Sequence, residues 1–255
     1  MRNLPHGSAA RSSSLVRTPT GRTWWLLGGT FVLSVAAGTV LYLTWPDVAA
    51  LRDTNPDSTA FIDRYLERSN QTRVDRAWVP SSRISAHLKK AVVVAEDLEF
   101  FSHDGFSRHE MQQAVRKALA EGERLRGAST ITQQLAKNLW LSPSRNPLRK
   151  VREAVLTKQL ERHLTKTRIL ELYLNVVEFG PGVYGAESAA RQYFSKSAAD
   201  LDQREAAMLA ASLPRPSQWH PGVSSLNYAR RVDRLIARMD QVTFLDRSLG
   251  LPAAP

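Results

Sequence analysis

Residues 126–138 read RGASTITQQLAKN, a stretch that packs a small-residue turn, hydroxyls, two neutral amides and a lysine together. Upstream, residues 95–105 read AEDLEFFSHDG, where Glu96, Asp97 and Glu99 follow the apolar run AVVVA. An acid at the edge of an apolar helix is partly stripped of water, which raises its pKa and makes it a better general base. The later stretch places Gln133 and Lys137 one turn apart on a helix, opposite an apolar seam. A neutral amide and a cation at a helix N-terminus suit a phosphate or a sugar. The chemistry on offer is proton removal next to an anion-holding surface. Each half also has a plainer reading. Acids can simply end the buried part of a helix, and Thr130-x-x-Gln133 is a capping box whose preceding Gly127 and Ala128 only let the chain turn closely. For residues 126–138 the two readings are compatible, because a cap can also be a ligand site.

A second charged group lies downstream, where Asn146-Pro147 is an N-cap followed by proline at the first helical position. In that helix Leu148, Val151 and Val155 form an apolar side, so Arg149, Lys150 and Glu153 project the other way. Arg149 and Glu153 stand at i,i+4, the spacing of an ordinary surface pair. The alternative is a carboxylate that orients cations toward a bound pyrophosphate. The histidines point to no metal: His109-Glu110 begins an H-E-x-x-H pattern, but Gln113 stands where the second histidine would be. His103 reads as a residue packed at a helix end.

The elements that must position these groups read as closely spaced helices. One runs over 84–101, ending near Gly105, and a charged one over 107–121. An amphipathic helix over 130–140 has Ile131, Leu135 and Leu139 on one face. The next runs from Asn146 to about His163, and Thr165 caps another with Ile169, Leu170, Tyr173 and Leu174 as its seam. Helices over 183–193, 200–213 and 226–242 follow. Strand signals are scarce, so the fold class is all-α.

The chain has 255 residues, 43% of them apolar, enough for one catalytic-sized domain with accessories. It has no cysteine, which excludes a disulfide framework and thiolate chemistry. Residues 23–45 carry no charge. As a helix they would be about 34 Å long, enough to span a bilayer core. Trp24, Trp25 and Trp45 sit at its ends, as interfacial rings do. Arg2, Arg11, Arg17 and Arg22 precede it with no acid, which keeps the N-terminus cytoplasmic and sends the remainder outside. A cleaved signal peptide would have a shorter apolar core of about 7–15 residues. The net charge is +11, and residues 111–170 hold thirteen Lys and Arg against four Asp and Glu. Such an excess serves nucleic acid, anionic lipid, an anionic substrate or simply a solvated face. Placement outside the membrane and the lack of any helix-turn-helix, RRM or zinc-finger pattern argue against nucleic acid. The expected organisation is a tail over 1–22, an anchor over 23–45, a stalk over 46–77, a catalytic domain over 78–245 and a tail over 246–255.

The blocks AEDLEFFSHDGF, RGASTITQQLAKNLW, RKVREAVLTKQLE, ILELYLNVVEFGPGVYGAESAARQYF and EAAMLAASLPRPSQWHP occur in that order. Together they resemble the peptidoglycan glycosyltransferases of glycosyltransferase family 51, over about residues 78–238. Gly-Ala-Ser at 127–129 replaces the family's commoner Gly-Gly-Ser. No S-x-x-K or K-T-G of a penicillin-binding transpeptidase occurs, Lys166-Thr167 being followed by Arg168, so the resemblance is to a monofunctional member. It implies a lysozyme-like fold with a large head and a small, membrane-dipping jaw, the jaw falling at about residues 106–126. The implied activity is polymerisation of lipid II, a disaccharide-pentapeptide on undecaprenyl pyrophosphate, at the bacterial inner membrane with the catalytic domain periplasmic. By resemblance Glu96 is the general base and Glu153 the second carboxylate of the cleft. Ser129, Gln133, Gln134, Lys137, Asn138, Arg145, Arg149, Lys150 and Arg152 line the substrate cleft. The implied partners are lipid II, the growing lipid-linked glycan, the membrane and other cell-wall synthesis and division proteins. No cofactor is built in, although a divalent cation such as Mg2+ could assist at the pyrophosphate. A glycan hydrolase of the same fold and a non-catalytic scaffold that binds lipid II are the competing readings.

Overall fold

The computed structural model describes residues 29–32, 35–36, 38–39, 44–109, 111–112, 116, 129–144 and 146–251. Met1–Pro46 and Asp47–Pro255 form two compact units. Residues 29–32, 35–36 and 38–39 of the first are helical. The expected span over 23–45 lies largely outside the described residues, and no helix among the described residues is long and apolar enough to cross a membrane. Most of the expected jaw, over 106–126, is likewise outside them.

The second unit is built from helices begun by their own side chains. They are α1 (Ala60–Ser69), α2 (Ala86–Glu96), α3 (Ile131–Trp140), α4 (Pro147–His163) and α5 (Lys166–Val176). After a hairpin come α6 (Ala186–Phe194), α7 (Gln203–Ser212), α8 (Leu226–Gln241) and the short α9 (Asp246–Leu249). Thr59, Ser85, Thr130, Asn146, Thr165, Asp202 and Ser225 each accept a backbone N–H at a helix start, where the first N–H groups lack intrahelical partners.

The core forms around α2. Its Leu88, Ala91, Val92, Val93 and Val94 are all buried, which gives the helix an apolar surface on nearly every side. It packs against α7 and α8, and the buried alanines 206, 207, 210 and 211 of α7 allow a close approach. A second group has α3 packed on α4 and α5, with α1 also against α3.

Several expectations change. The helix expected over 84–101 ends at Glu96, because the Asp97 side chain is drawn into contacts with other segments, described below. The helix expected from residue 183 begins at Ala186, after a two-stranded antiparallel hairpin of Glu178–Gly180 (β1) and Val183–Tyr184 (β2). Gly182 and Gly185 hold φ of 74° and 87°, a region that favours glycine, and they turn the chain on either side of β2. At Gly185 a Cβ would meet the Asn175 carbonyl oxygen at 2.8 Å. The all-α expectation therefore becomes a mainly helical fold with one hairpin. On α4, Leu148, Val151 and Val155 are 74%, 62% and 44% exposed, so the apolar side faces out, while on the other side Glu153 is buried and Lys150 stays exposed.

Candidate active site

Glu96 is the last residue of α2 and is half-buried; Asp97 behind it is fully buried. The Asp97 Oδ2 accepts from the backbone N–H of Ile131, the first residue of α3, at 3.0 Å. Its carboxylate also meets His103 Nε2 at 2.9 and 3.0 Å. The Gly105 N–H donates to His103 Nδ1 at 3.0 Å, which assigns the ring proton to Nε2 and makes His103 the donor to Asp97. Thr130 closes the loop by donating its hydroxyl to the Gly105 carbonyl at 2.8 Å. A carboxylate at a helix N-terminus is favoured by the partial positive charge there. The end of α2 and the start of α3 are thus tied through one acid.

That knot places Glu96 against α3. Gln134 Nε2 donates to Glu96 Oε2 at 2.8 Å. Tyr173, fully buried on α5, donates its hydroxyl to Gln134 Oε1 at 2.9 Å. With the amide oxygen occupied, the NH2 must face the carboxylate. Burial raises the Tyr173 pKa well above its ordinary value, so the phenol stays a donor. Burial also raises the Glu96 pKa; the Gln134 hydrogen bond and the charges of Arg231 and Lys137 pull it partly back. A carboxylate so placed combines raised basicity with a fixed direction.

Lys137 lies one turn beyond Gln134 and is half-buried, its Nζ 5.6 Å from the centre of the Phe61 ring of α1. Burial lowers its pKa, against which the charge of Glu153 acts most strongly. No ion pair of Lys137 is formed among the described residues, so its charge is not cancelled at close range. Glu153 is 3% exposed, which is no surface pair. One oxygen takes Arg149 Nη1 at 2.7 Å and the other pairs with Lys150 Nζ. Arg149 Nε donates to the Ser144 carbonyl at 2.6 Å. Glu153 therefore fixes two cations from within, and both act electrostatically on Lys137.

The structure gathers Glu96, Gln134 and Lys137 on one side and Arg149, Lys150 and Glu153 beside them. Gln133 is committed to the capping box, its Oε1 accepting from the Thr130 N–H at 3.0 Å. Asn138 is buried, Ser129 is exposed with its carbonyl 3.4 Å from Gln134 Nε2, and Arg152 is half-buried on α4. Arg145 lies outside the described residues. Sequence reasoning passed over Tyr173, which looked like part of an apolar seam, His103, which looked like packing, and Phe61 and Arg231, which carried no signal. No group of three or more His, Asp or Glu is placed to hold a metal ion among the described residues. The two carboxylates at hand do not make a ligand set for a divalent cation either, since both oxygens of Glu153 are already in ion pairs.

The transglycosylase family profile matches residues 63–240. The chain is 44% identical over 224 residues to the biosynthetic peptidoglycan transglycosylase of Azoarcus sp. (strain BH72), covering 86% of this chain and 96% of that protein. Proteins of the same name from Thiobacillus denitrificans and Aromatoleum aromaticum are each 45% identical. These alignments cover 83% and 80% of this chain and 94% and 92% of theirs. The chain belongs to the transglycosylase family.

Proposed function

We propose that this protein is a peptidoglycan glycosyltransferase of cell-wall synthesis that polymerises lipid II into β-1,4-linked glycan. The observation that carries the mechanism is a desolvated carboxylate, Glu96, aimed by Gln134, with the half-buried Lys137 one turn beyond that amide and in no ion pair among the described residues. Glu96 takes the proton of the GlcNAc 4-hydroxyl of an incoming lipid II. The oxygen attacks C1 of the MurNAc at the reducing end of the growing chain. The C1–O bond to the α-linked pyrophosphate breaks, its electron pair leaves with undecaprenyl pyrophosphate, and the anomeric centre inverts. Inverting hydrolases need a second carboxylic acid to protonate a poor leaving group. Pyrophosphate leaves as an anion, so Lys137, Arg149 and Lys150 serve in that acid's place, with Glu153 orienting the last two. Fixed charges aimed at developing charge are often a large catalytic term.

Lipid-linked substrates put the reaction at a membrane surface, which in this reading is the bacterial inner membrane, with the N-terminal 23–45 segment as anchor. The outward apolar side of α4, with Lys158 and Arg162 alongside, supports a bilayer as neighbour. The head-and-jaw division and contact with other cell-wall synthesis and division proteins belong to the same proposal. The test is incubation of the purified chain with labelled lipid II and gel separation of the products. Polymer is expected from the parent and not from Glu96→Gln; polymerisation by both at equal rates removes the base assignment.

A further inference from the structure

A cavity of about 450 Å³ lies beside Ala95, the neighbour of Glu96, and faces α8 through Arg231, Arg234, Leu235, Arg238 and Gln241. The three arginines stand at i, i+3 and i+7, on one side of the helix. Among the described residues none of the three forms an ion pair with a carboxylate. The two acids of α8 are engaged elsewhere, Asp233 with Arg204 at 3.5 Å and Asp240 accepting from Gln203 at 2.6 Å, both partners coming from α7. Arg231 is held in place from behind. Its Nε donates to the Ala211 carbonyl at 3.2 Å, and its guanidinium lies 5.7 Å from the Trp219 ring centre. That leaves its terminal nitrogens as donors toward the cavity. Arg231 is also half-buried and electrostatically coupled to Glu96.

Three guanidiniums on one side of a helix, none of them in an ion pair among the described residues, can hold one anionic ligand jointly. Planar guanidinium forks recognise phosphate and carboxylate oxygens. The leaving group already has the Lys137, Arg149 and Lys150 cations of α3 and α4, whereas α8 packs on α2 and α7. We infer that the arginine-lined cavity on α8 binds an anionic group, phosphate or carboxylate, of the acceptor lipid II and so delivers its hydroxyl to Glu96. This rests on the proposed polymerase reading and assigns it a second anion site.

The test is the Arg234→Ala/Arg238→Ala double variant of the full chain, two exposed positions whose loss leaves the core intact. Initial rates against lipid II concentration in detergent should show KM raised on the order of tenfold with kcat little changed. The Lys/Lys double variant should recover only part of the loss, because lysine keeps the charge but not the planar fork. A second readout is equilibrium binding of lipid II in a Glu96→Gln background, where the same pair should weaken binding to a similar degree. A parent that polymerises while KM and binding are unchanged by the pair overturns the acceptor site alone. A parent that makes no polymer, with binding still weakened by the pair, overturns the polymerase reading and leaves the anion site standing. Loss of vesicle binding with unchanged KM in detergent assigns the arginines to lipid headgroups and overturns the inference. Lipid II with amidated stem-peptide carboxylates separates the sources. If the KM difference persists the phosphates are bound, and if it vanishes the carboxylates are.

Discussion

Two regions of this molecule carry many polar side chains and use them in opposite ways. Around α5 and α6 nearly every group is closed on another. Asn175, fully buried, pairs with both the N–H and the carbonyl of Val79 at 2.9 Å, and Glu171 accepts from the Ser81 N–H at 2.8 Å. Arg168 donates to the Leu51 and Thr54 carbonyls at 2.9 and 2.7 Å and pairs with Glu171. Glu187 takes the Ala198 N–H at 2.8 Å and the Arg191 guanidinium at 2.8 Å. Around α3, α4 and the end of α2 the count does not close. Among the described residues Lys137 has an aromatic ring but no carboxylate in an ion pair, and Glu96 has one amide and a raised pKa. The first region spends its polar groups on joining segments distant in sequence. The second holds charge that folding alone does not use, which is what a ligand or a reaction requires. Polar motifs in the two regions thus differ by how fully they are partnered.

The sharpest way to break this contrast is Glu96→Gln. Polymerisation of lipid II should fall by roughly 10²–10⁴-fold, the span of general-base catalysis. Thermal melting should stay level or rise, because a desolvated charge is removed while the Gln134 contact can be kept. Lys137→Ala comes next, with a loss of about 10²–10³-fold in kcat, comparable to removing one preorganised donor at a developing charge. Its melting temperature should not drop in proportion. If Lys137→Ala unfolds the protein instead, the lysine belongs with the scaffold.

Asn175→Ala reverses the pattern. It leaves half-buried Val79 groups unpaired and should cost about 1–3 kcal/mol in denaturant unfolding, with activity per folded molecule retained. pH offers a finer test. Because the folded Glu96 pKa is raised, that carboxyl favours the native state in acid, and this contribution is lost as pH climbs through the folded value. The stability advantage of Glu96→Gln over the parent should therefore grow from acid toward neutral pH, over the same interval in which the parent's rate rises. A constant difference would mean that Glu96 is not desolvated. The smallest effect is expected at Arg191, whose side chain is 68% exposed. Arg191→Ala should change stability by no more than about 0.5 kcal/mol and leave the rate unchanged.

What the sequence revealed was local. The caps at Thr130, Asn146 and Thr165 depend on residues within one turn, so the starts of α3, α4 and α5 were legible, whereas α6 and α7 begin three residues later than expected. The end of α2 was not, because it is set by Asp97 reaching Ile131 and His103, neither of which any period marks. The hairpin was missed because strands of three and two residues are too short to show alternation. Periodicity grouped Leu148 with Val151 and Val155 correctly but could not say that this side faces outward. In the site, Glu96 and Lys137 were visible as residue types. Tyr173, which orients the amide between them and the core, was hidden in an apolar seam where an aromatic ring reads as packing.

The outward apolar strip of α4 also governs how the protein must be handled. Leu148, Val151 and Val155 are held exposed on a well-formed helix of the second unit, so a fragment of that unit keeps this apolar patch. A fragment beginning near residue 47 should therefore self-associate in plain buffer and disperse on addition of mild detergent. Its scattering should vary with protein concentration in buffer and lose that dependence in detergent.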